Sequence, residues 1–154
     1  MGSSCSFRNF YLGIYIDADL VMRTHVKKTA SRCFAVLRQI RRYVSTDTFQ
    51  ALVVALVVTR LDYDNAVLTG RPVYLSRRLQ SVLNAAVRLI FGLRRSDHVS
   101  DALISLHWLR MPQRIQFKVA VLTYKVLHGC APSYLGPFVR VADLPSRRAP
   151  LHQH

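Results

Sequence analysis

Two closely spaced pairs of aspartates are the residues of this sequence most suggestive of catalysis. Asp62 and Asp64 flank Tyr63, and Asp17 and Asp19 form the second pair. Carboxylates arranged in this way can hold two metal ions roughly 3.5–4 Å apart, so that the ions clamp the attacking and leaving oxygens of a displacement reaction. The two pairs are therefore the candidate metal ligands of a catalytic site.

Cysteines and histidines add no metal site to these pairs. Cys5, Cys33 and Cys130 are far apart and form no C-x-x-C pair, which argues against a zinc module or a disulfide framework. The same spacing fits a reducing, intracellular compartment, nuclear or cytoplasmic. The histidines have no metal-ligand spacing to these cysteines: His25, His98, His107, His128, His152 and His154. We predict no metal and no cofactor.

Basic residues are the strongest functional signal in the composition. The chain has 22 Lys and Arg against 8 acidic residues, all of them Asp, and a formal net charge of +14. Such an excess favours a polyanionic partner. Charged runs are often only solvated helix faces, but such faces usually include acidic residues, which are scarce here. The candidate residues for backbone contacts to nucleic acid are Lys27, Lys28, Arg32, Arg38, Arg41, Arg42, Arg77, Arg78, Arg88, Arg94, Arg95, Arg114, Lys118 and Lys125.

The spacing of apolar residues predicts the elements that position these cations. Residues 10–17 are rich in β-branched and aromatic side chains and predict one strand, whose backbone needs a neighbour to pair with. From residue 20 the period becomes helical. The apolar stripe of this first helix consists of Val26, Ala30, Cys33, Leu37 and Ile40. Further helices are predicted over residues 48–61 (apolar almost all round, with a kinked extension to 68), 75–91, 99–106 and 112–128.

These patterns predict a mainly α fold, a bundle of about five helices with one short N-terminal β-strand. The longest uninterrupted apolar run, residues 51–58, is far shorter than the ~20 residues that a membrane span needs. No membrane-spanning segment is therefore predicted.

Several sequence blocks resemble the region that follows the palm in reverse transcriptases of non-LTR (LINE-type) retrotransposons. They cover about residues 10–136 and come in the same order as in that family. The blocks are Leu12-Gly13-x-x-x-Asp17-x-x-Leu20 with His25-Val26, then Arg60-Leu-Asp62-Tyr63-x-Asn65, then Leu79-Gln-x-Val-x-Asn-Ala-Ala-x-Arg-Leu-Ile90, then Leu106-His-Trp-Leu109 with Arg114-Ile-x-Phe-Lys118, and finally Leu122-Thr-Tyr-Lys125, Leu127-His-Gly129 and Ala131-Pro-x-Tyr-Leu135.

This resemblance implies the thumb-side region of a transposable-element RNA-directed DNA polymerase, without the catalytic palm. Asp62-Tyr63-Asp64 lies after the palm exit, and family members commonly carry Gly or Cys at position 64. Asp17 matches the strand-exit block, and Asp19 is expected to cap the next helix. No catalytic residue is therefore expected, and the chain itself is not expected to be an enzyme.

Composition and the resemblance together predict a division of the chain, and the resemblance also implies a set of partners. The expected segments are a disordered start (1–9), a strand left over from the palm (10–19), a helical thumb region (20–136) and a flexible tail (137–154). The expected partners are a template–primer duplex (an RNA–DNA hybrid, or RNA) bound with little sequence preference, and originally the palm of the same polyprotein. Two alternatives stay open: a copy without surviving function, and a small basic helical protein that binds another protein or an anionic membrane surface.

Overall fold

A β-hairpin begins the part of the chain that the structure describes. The computed structural model describes residues 9–63 and 65–135. Strands β1 (Asn9–Tyr11) and β2 (Ile14–Ile16) pair antiparallel, with Tyr11 opposite Ile14. The predicted disordered start and flexible tail lie outside the described residues, except that Asn9 already belongs to β1.

The prediction of a single strand over residues 10–17 is wrong, because the chain reverses at Leu12 and Gly13. Both residues have positive φ, 46° and 89°, as a two-residue type I′ hairpin loop requires. Glycine adopts this conformation at little cost, whereas leucine does so rarely. Because leucine is not typical of turns, the sequence pattern did not predict the turn at Leu12. Each short strand has its pairing neighbour in the other.

The helices confirm the mainly α class and lie close to the predicted ranges. The α-helices are α1 (Arg23–Tyr43), α2 (Thr46–Val53), α3 (Thr59–Asp62), α4 (Val73–Phe91), α5 (Ser100–Ser105) and α6 (Met111–Leu127). A π-helical turn (Val54–Val58) joins α2 to α3, and 3-10 turns occupy Asn65–Leu68 and Ser133–Leu135. Because the backbone stays helical through the π turn, α2 and α3 form one continuous helical segment.

The first turn of α1 is capped by Asp17 and not by Asp19. The Thr24 N–H donates to Asp17 Oδ2 at 3.0 Å, which satisfies one of the free donors at a helix start. Asp19 instead accepts from the Val21 N–H at 3.1 Å, before the helix begins, and pairs with the Arg23 guanidinium. The prediction that Asp19 is the cap is therefore wrong.

The core lies mainly between α1 and α4, which pack against each other. The predicted stripe of α1 is buried throughout, and Leu79, Val82, Leu83 and Ala86 of α4 are buried with it. Burial raises the pKa of the Cys33 thiol to about 11. This thiol is therefore protonated at neutral pH, and a protonated thiol is a poor nucleophile and metal ligand.

The π turn changes which residues of the second helical segment face the core. Val57 and Val58 are buried, but Val54, Ala55 and Leu56 are exposed. The Thr59 backbone N–H donates to the Val54 carbonyl, one residue further back than the usual α-helical acceptor. Thr59 Oγ1 donates to the same carbonyl at 2.9 Å. The almost wholly apolar sequence of this segment predicts a central, buried helix, and that prediction is wrong for its middle turn.

The chain divides into two compact units, residues 1–116 and 117–154. In the described part of the second unit, Phe117, Tyr124 and Leu127 are exposed apolar side chains. The Tyr124 and His128 rings contact each other there, with centroids 4.1 Å apart. Across both described ranges, no helix has the length and apolar content that crossing a membrane would need.

Candidate nucleic-acid interface

Helix α1 carries the densest group of predicted cationic residues. Its 21 residues include seven Lys or Arg and no acidic residue. The apolar stripe occupies the side that packs on α4, so the basic residues take the remaining surface. Five of the six predicted side chains are exposed, and Lys28 is half-buried. The structure therefore brings together Lys27, Lys28, Arg32, Arg38, Arg41 and Arg42 on one helix with little competing negative charge.

Part of this surface continues onto α4. Arg38 lines a shallow groove with Ala85 and Leu89 of α4. Lys27 precedes Arg38 by about three helical turns, and Arg78 precedes Ala85 by about two, so each lies on the groove side of its own helix. We call these three cations, Lys27, Arg38 and Arg78, the α1–α4 cationic face.

Tyr15 holds two further cations of α1 beside the hairpin. The Lys28 ammonium lies 3.6 Å from the centre of the Tyr15 ring, and Arg32 Nη2 donates to the Tyr15 hydroxyl at 3.3 Å. Desolvation acts to raise the pKa of Tyr15, but hydrogen bonds and positive charge from Arg32 and Lys28 outweigh it and hold the pKa below its usual value. Tyr15 was missed by sequence reasoning because its spacing from α1 carries no local signal.

The aspartates are largely engaged in holding local structure. Asp17 and Asp19 accept backbone N–H groups around the start of α1, and Asp97 Oδ2 accepts the Arg94 N–H at 2.7 Å. Arg23 forms an ion pair with Asp19, and Arg114 forms one with Asp62. The positive charge of the α1–α4 cationic face therefore has no carboxylate partner among the residues that the structure describes.

The other predicted cations of α4 and the following turn differ in accessibility. Arg77, Arg94 and Arg95 are exposed. Arg88 is half-buried, and its Nη2 donates weakly to the Asp97 carbonyl at 3.4 Å. Its Nε is buried without a partner in the described ranges. Arg77, Arg94 and Arg95 are free to meet a phosphate, whereas Arg88 is held against the turn that ends α4.

Arg114, the first of the three predicted cations on α6, is held by two partners. Arg114 Nη1 pairs with Asp62 Oδ2 at 2.6 Å, and its Nε donates to the Leu109 carbonyl at 2.8 Å. Its side chain is only 14% exposed. Lys118 and Lys125 belong to the second compact unit, where Lys118 is half-buried and Lys125 is exposed. Arg114 is therefore positioned to hold the fold rather than to meet solvent anions.

Replacing Arg114 with alanine is expected to lower the free energy of unfolding by about 1–2 kcal/mol, because two oxygen acceptors lose a charged donor. The effect stays below that of a fully buried pair because Asp62 is 39% exposed. Urea unfolding followed by circular dichroism would measure it. Arg77→Ala is the matched control and should change the value by less than about 0.5 kcal/mol. Equal effects of the two substitutions would contradict the role assigned to the Arg114 pair.

The blocks that carry the family resemblance contact one another in space. The Tyr63 hydroxyl donates to the Leu12 carbonyl at 2.5 Å, which connects the first block to the second. The Asp62–Arg114 pair connects the second to the fourth. The Met111 N–H donates to Gln80 Oε1 at 2.7 Å, which connects the third block to the start of α6. These polar residues act as links between segments that are distant in the chain.

The aspartate pairs form no metal site in the described residues. No group of three or more His, Cys or acidic side chains that could hold an ion is present there, and Asp64 lies outside the described residues. Asp62 is bound by Arg114 and by Asn65, whose Nδ2 is 3.3 Å from Asp62 Oδ1. A carboxylate with these partners is poorly placed to act as a free metal ligand.

Comparison of the chain with protein-family models, with curated proteins and with solved structures gave no match. The resemblance to the reverse transcriptases therefore depends on the sequence blocks alone.

Proposed function

We propose that this chain binds the phosphate backbone of a nucleic-acid duplex, an RNA–DNA hybrid or an RNA duplex, without reading base sequence. The surface is α1 together with the adjoining side of α4. In the terms of the family that the sequence blocks resemble, this is the grip of a thumb on the template–primer duplex. The chain itself is proposed to carry no polymerase activity.

The observation that carries this proposal is the charge of α1. A helix of 21 residues with seven cations and no acidic residue extends for about 30 Å. Over such a length a duplex presents one phosphate charge for about every 1.7 Å of its axis. Four of the described aspartates, Asp17, Asp19, Asp62 and Asp97, instead accept backbone N–H groups or pair with Arg23 and Arg114.

The side chains on this surface suit phosphates better than base edges. Lys27 and Arg38 are separated by about three turns of α1, and Arg78 lies on the neighbouring helix α4. The three side chains can therefore contact phosphates that are spaced along the backbone of a duplex. Contacts of this kind fix the position of a duplex but carry no sequence information. We therefore propose recognition by charge and shape.

The test is the binding of the purified full chain to an RNA–DNA hybrid, followed by fluorescence anisotropy between about 50 and about 200 mM salt. Four to six phosphate contacts would give a slope of log affinity against log salt of about −4 to −5. A hybrid of unrelated sequence should bind equally well. Vesicles of phosphatidylcholine with phosphatidylserine serve as the alternative polyanionic surface.

A folded chain that fails to bind the hybrid at low salt would overturn the proposal. Binding to the vesicles with equal or higher affinity would also overturn it, in favour of a membrane-surface protein. A difference of more than about tenfold between two hybrid sequences would contradict recognition of the backbone alone.

A further inference from the structure

A cavity lies on the other side of α1 from the α1–α4 cationic face. It has a volume of about 380 Å³ and is open to solvent on one side. The hairpin turn, α1, the π turn and α3 each contribute to its walls. This volume falls within the range of about 300–1,000 Å³ that is typical of small-molecule sites.

One wall of the cavity is apolar because of two backbone features. The π turn directs Ala55 and Leu56 outward, so that both line the cavity, and Leu56 is 44% exposed. Gly13 lines it from the hairpin, where a Cβ atom would lie 3.5 Å from Cε1 of the Tyr63 ring. A partly exposed apolar wall of this kind is suited to a flat apolar group of a ligand.

Tyr63 supplies an aromatic surface beside this wall. Its ring is half-exposed, and the bond from its hydroxyl to the Leu12 carbonyl anchors it. An aromatic ring already held in place loses little side-chain entropy when a second ring stacks on it. Stacking of a base on such a ring contributes about 1–3 kcal/mol in proteins that bind single-stranded nucleic acid.

The polar part of the cavity is cationic. Arg32 and Arg60 both line it, and its described lining contains no carboxylate. Arg32 is held in place by the Tyr15 hydroxyl, and Thr29 and Thr59 add hydroxyl groups to the same wall. Two guanidinium groups that line one cavity favour the binding of an anion. A terminal phosphate monoester, with a charge of about −1.5 to −2, matches this pair better than the single charge of a backbone diester.

We propose that this cavity binds a nucleoside that carries a terminal phosphate monoester. The phosphate lies between Arg32 and Arg60, and the base lies against Leu56 and the Tyr63 ring. The residues that line the cavity favour a ligand with an anionic group and a planar group. That the planar part is a nucleoside rests on the proposed nucleic-acid binding. A free nucleotide and the phosphorylated end of a strand share this chemistry.

The first experiment titrates the full chain with AMP, adenosine and inorganic phosphate and follows the backbone amide signals by NMR. AMP is expected to bind at least about tenfold more tightly than adenosine or inorganic phosphate, because only AMP contacts both the apolar wall and the two arginines. The shifted signals should come from residues around Leu56 and Tyr63. A folded chain that does not bind AMP would overturn the proposal, and inorganic phosphate binding as tightly as AMP would overturn the nucleoside assignment.

Two variants separate this site from the duplex surface. Arg60→Gln is expected to weaken AMP binding about tenfold and to leave binding of a hydroxyl-ended hybrid within about twofold, because Arg60 is not on the α1–α4 cationic face. Ala55→Leu fills the apolar wall from an exposed position and should weaken AMP binding without unfolding the chain. Arg71→Gln, which removes an exposed charge elsewhere, is the control. An equal loss of AMP binding in the control and in Arg60→Gln would contradict the role proposed for Arg60 in binding the phosphate.

A third comparison distinguishes the two sources of the ligand. A single strand with a 5′-phosphate is compared with the same strand ending in a 5′-hydroxyl. A preference for the phosphorylated strand that Arg60→Gln abolishes identifies a strand end as the ligand, and tight AMP binding without this preference identifies a free nucleotide. The hybrid duplex has hydroxyl ends, so it does not occupy the cavity with a terminal phosphate. If the duplex proposal is wrong, only the binding of the hybrid is lost; if the cavity proposal is wrong, only the binding of AMP is lost.

Discussion

Replacing Lys27, Arg38 and Arg78 with glutamine is expected to weaken binding to an RNA–DNA hybrid about a hundredfold near 0.15 M salt. Each phosphate contact contributes about 0.9 to the salt slope, which corresponds to about a fivefold change in affinity at that salt concentration. Three lost contacts multiply to about a hundredfold, and the salt slope should fall by about three. Fluorescence anisotropy over a salt series measures both quantities on the same samples.

The matched control removes three charges from elsewhere in the chain. Arg60, Arg71 and Arg110 are exposed in the structure and lie outside the α1–α4 cationic face. Replacing them with glutamine lowers the net charge by the same amount, so a general effect of charge would weaken both variants equally. We expect the control to lose less than about fivefold, the equivalent of one contact. An equal loss in the two variants would contradict a localised binding surface.

Replacing Leu83 with alanine is expected to have the largest effect on stability. Leu83 has no solvent-exposed surface and lies on the face of α4 that packs against α1. Removing a fully buried leucine side chain costs about 2–5 kcal/mol, from the lost burial and from the cavity that remains. Domains of this size are stable by only about 5–15 kcal/mol, so urea unfolding should show a large shift of the midpoint.

Two further variants keep this measurement interpretable. Leu83→Val removes less volume and should cost less, which gives a value even if the alanine variant is largely unfolded. Ile104→Ala shortens an aliphatic side chain that is 71% exposed, and it should change the free energy of unfolding by less than about 0.5 kcal/mol. A Leu83→Ala cost no larger than that of Ile104→Ala would mean that α1 and α4 do not form a close-packed core.

The sequence predicted those parts of the fold that depend on local periodicity. The stripe of α1 from Val26 to Ile40 and the buried positions of α4 follow the 3.6-residue period, because burial against one neighbour selects one helix face. The hairpin was missed because Leu12 is not a residue type that signals a turn. The exposure of Leu56 was missed because a π turn shifts the period by one residue without a sequence signal.

The sequence predicted which cationic residues belong to the candidate site, but it did not predict how they are arranged in space. Spacing along α1 correctly placed six cations on one helix. Spacing along α6 could not reveal that Arg114 meets Asp62, 52 residues earlier in the chain. The same limit applies to the cavity, whose walls come from Gly13, Arg32, Leu56 and Arg60. Residues that meet only after the chain has folded back carry no mutual signal in one sequence.

The bond between Tyr63 and Leu12 has a consequence for the order of events during synthesis. Its two ends are 51 residues apart, and ribosomes add about 5–20 residues per second. The hairpin is therefore synthesised several seconds before the tyrosine that anchors its turn. During that interval a two-stranded hairpin is at best marginally stable. Docking of the hairpin is thus expected to be a late step, completed only after α3 has emerged.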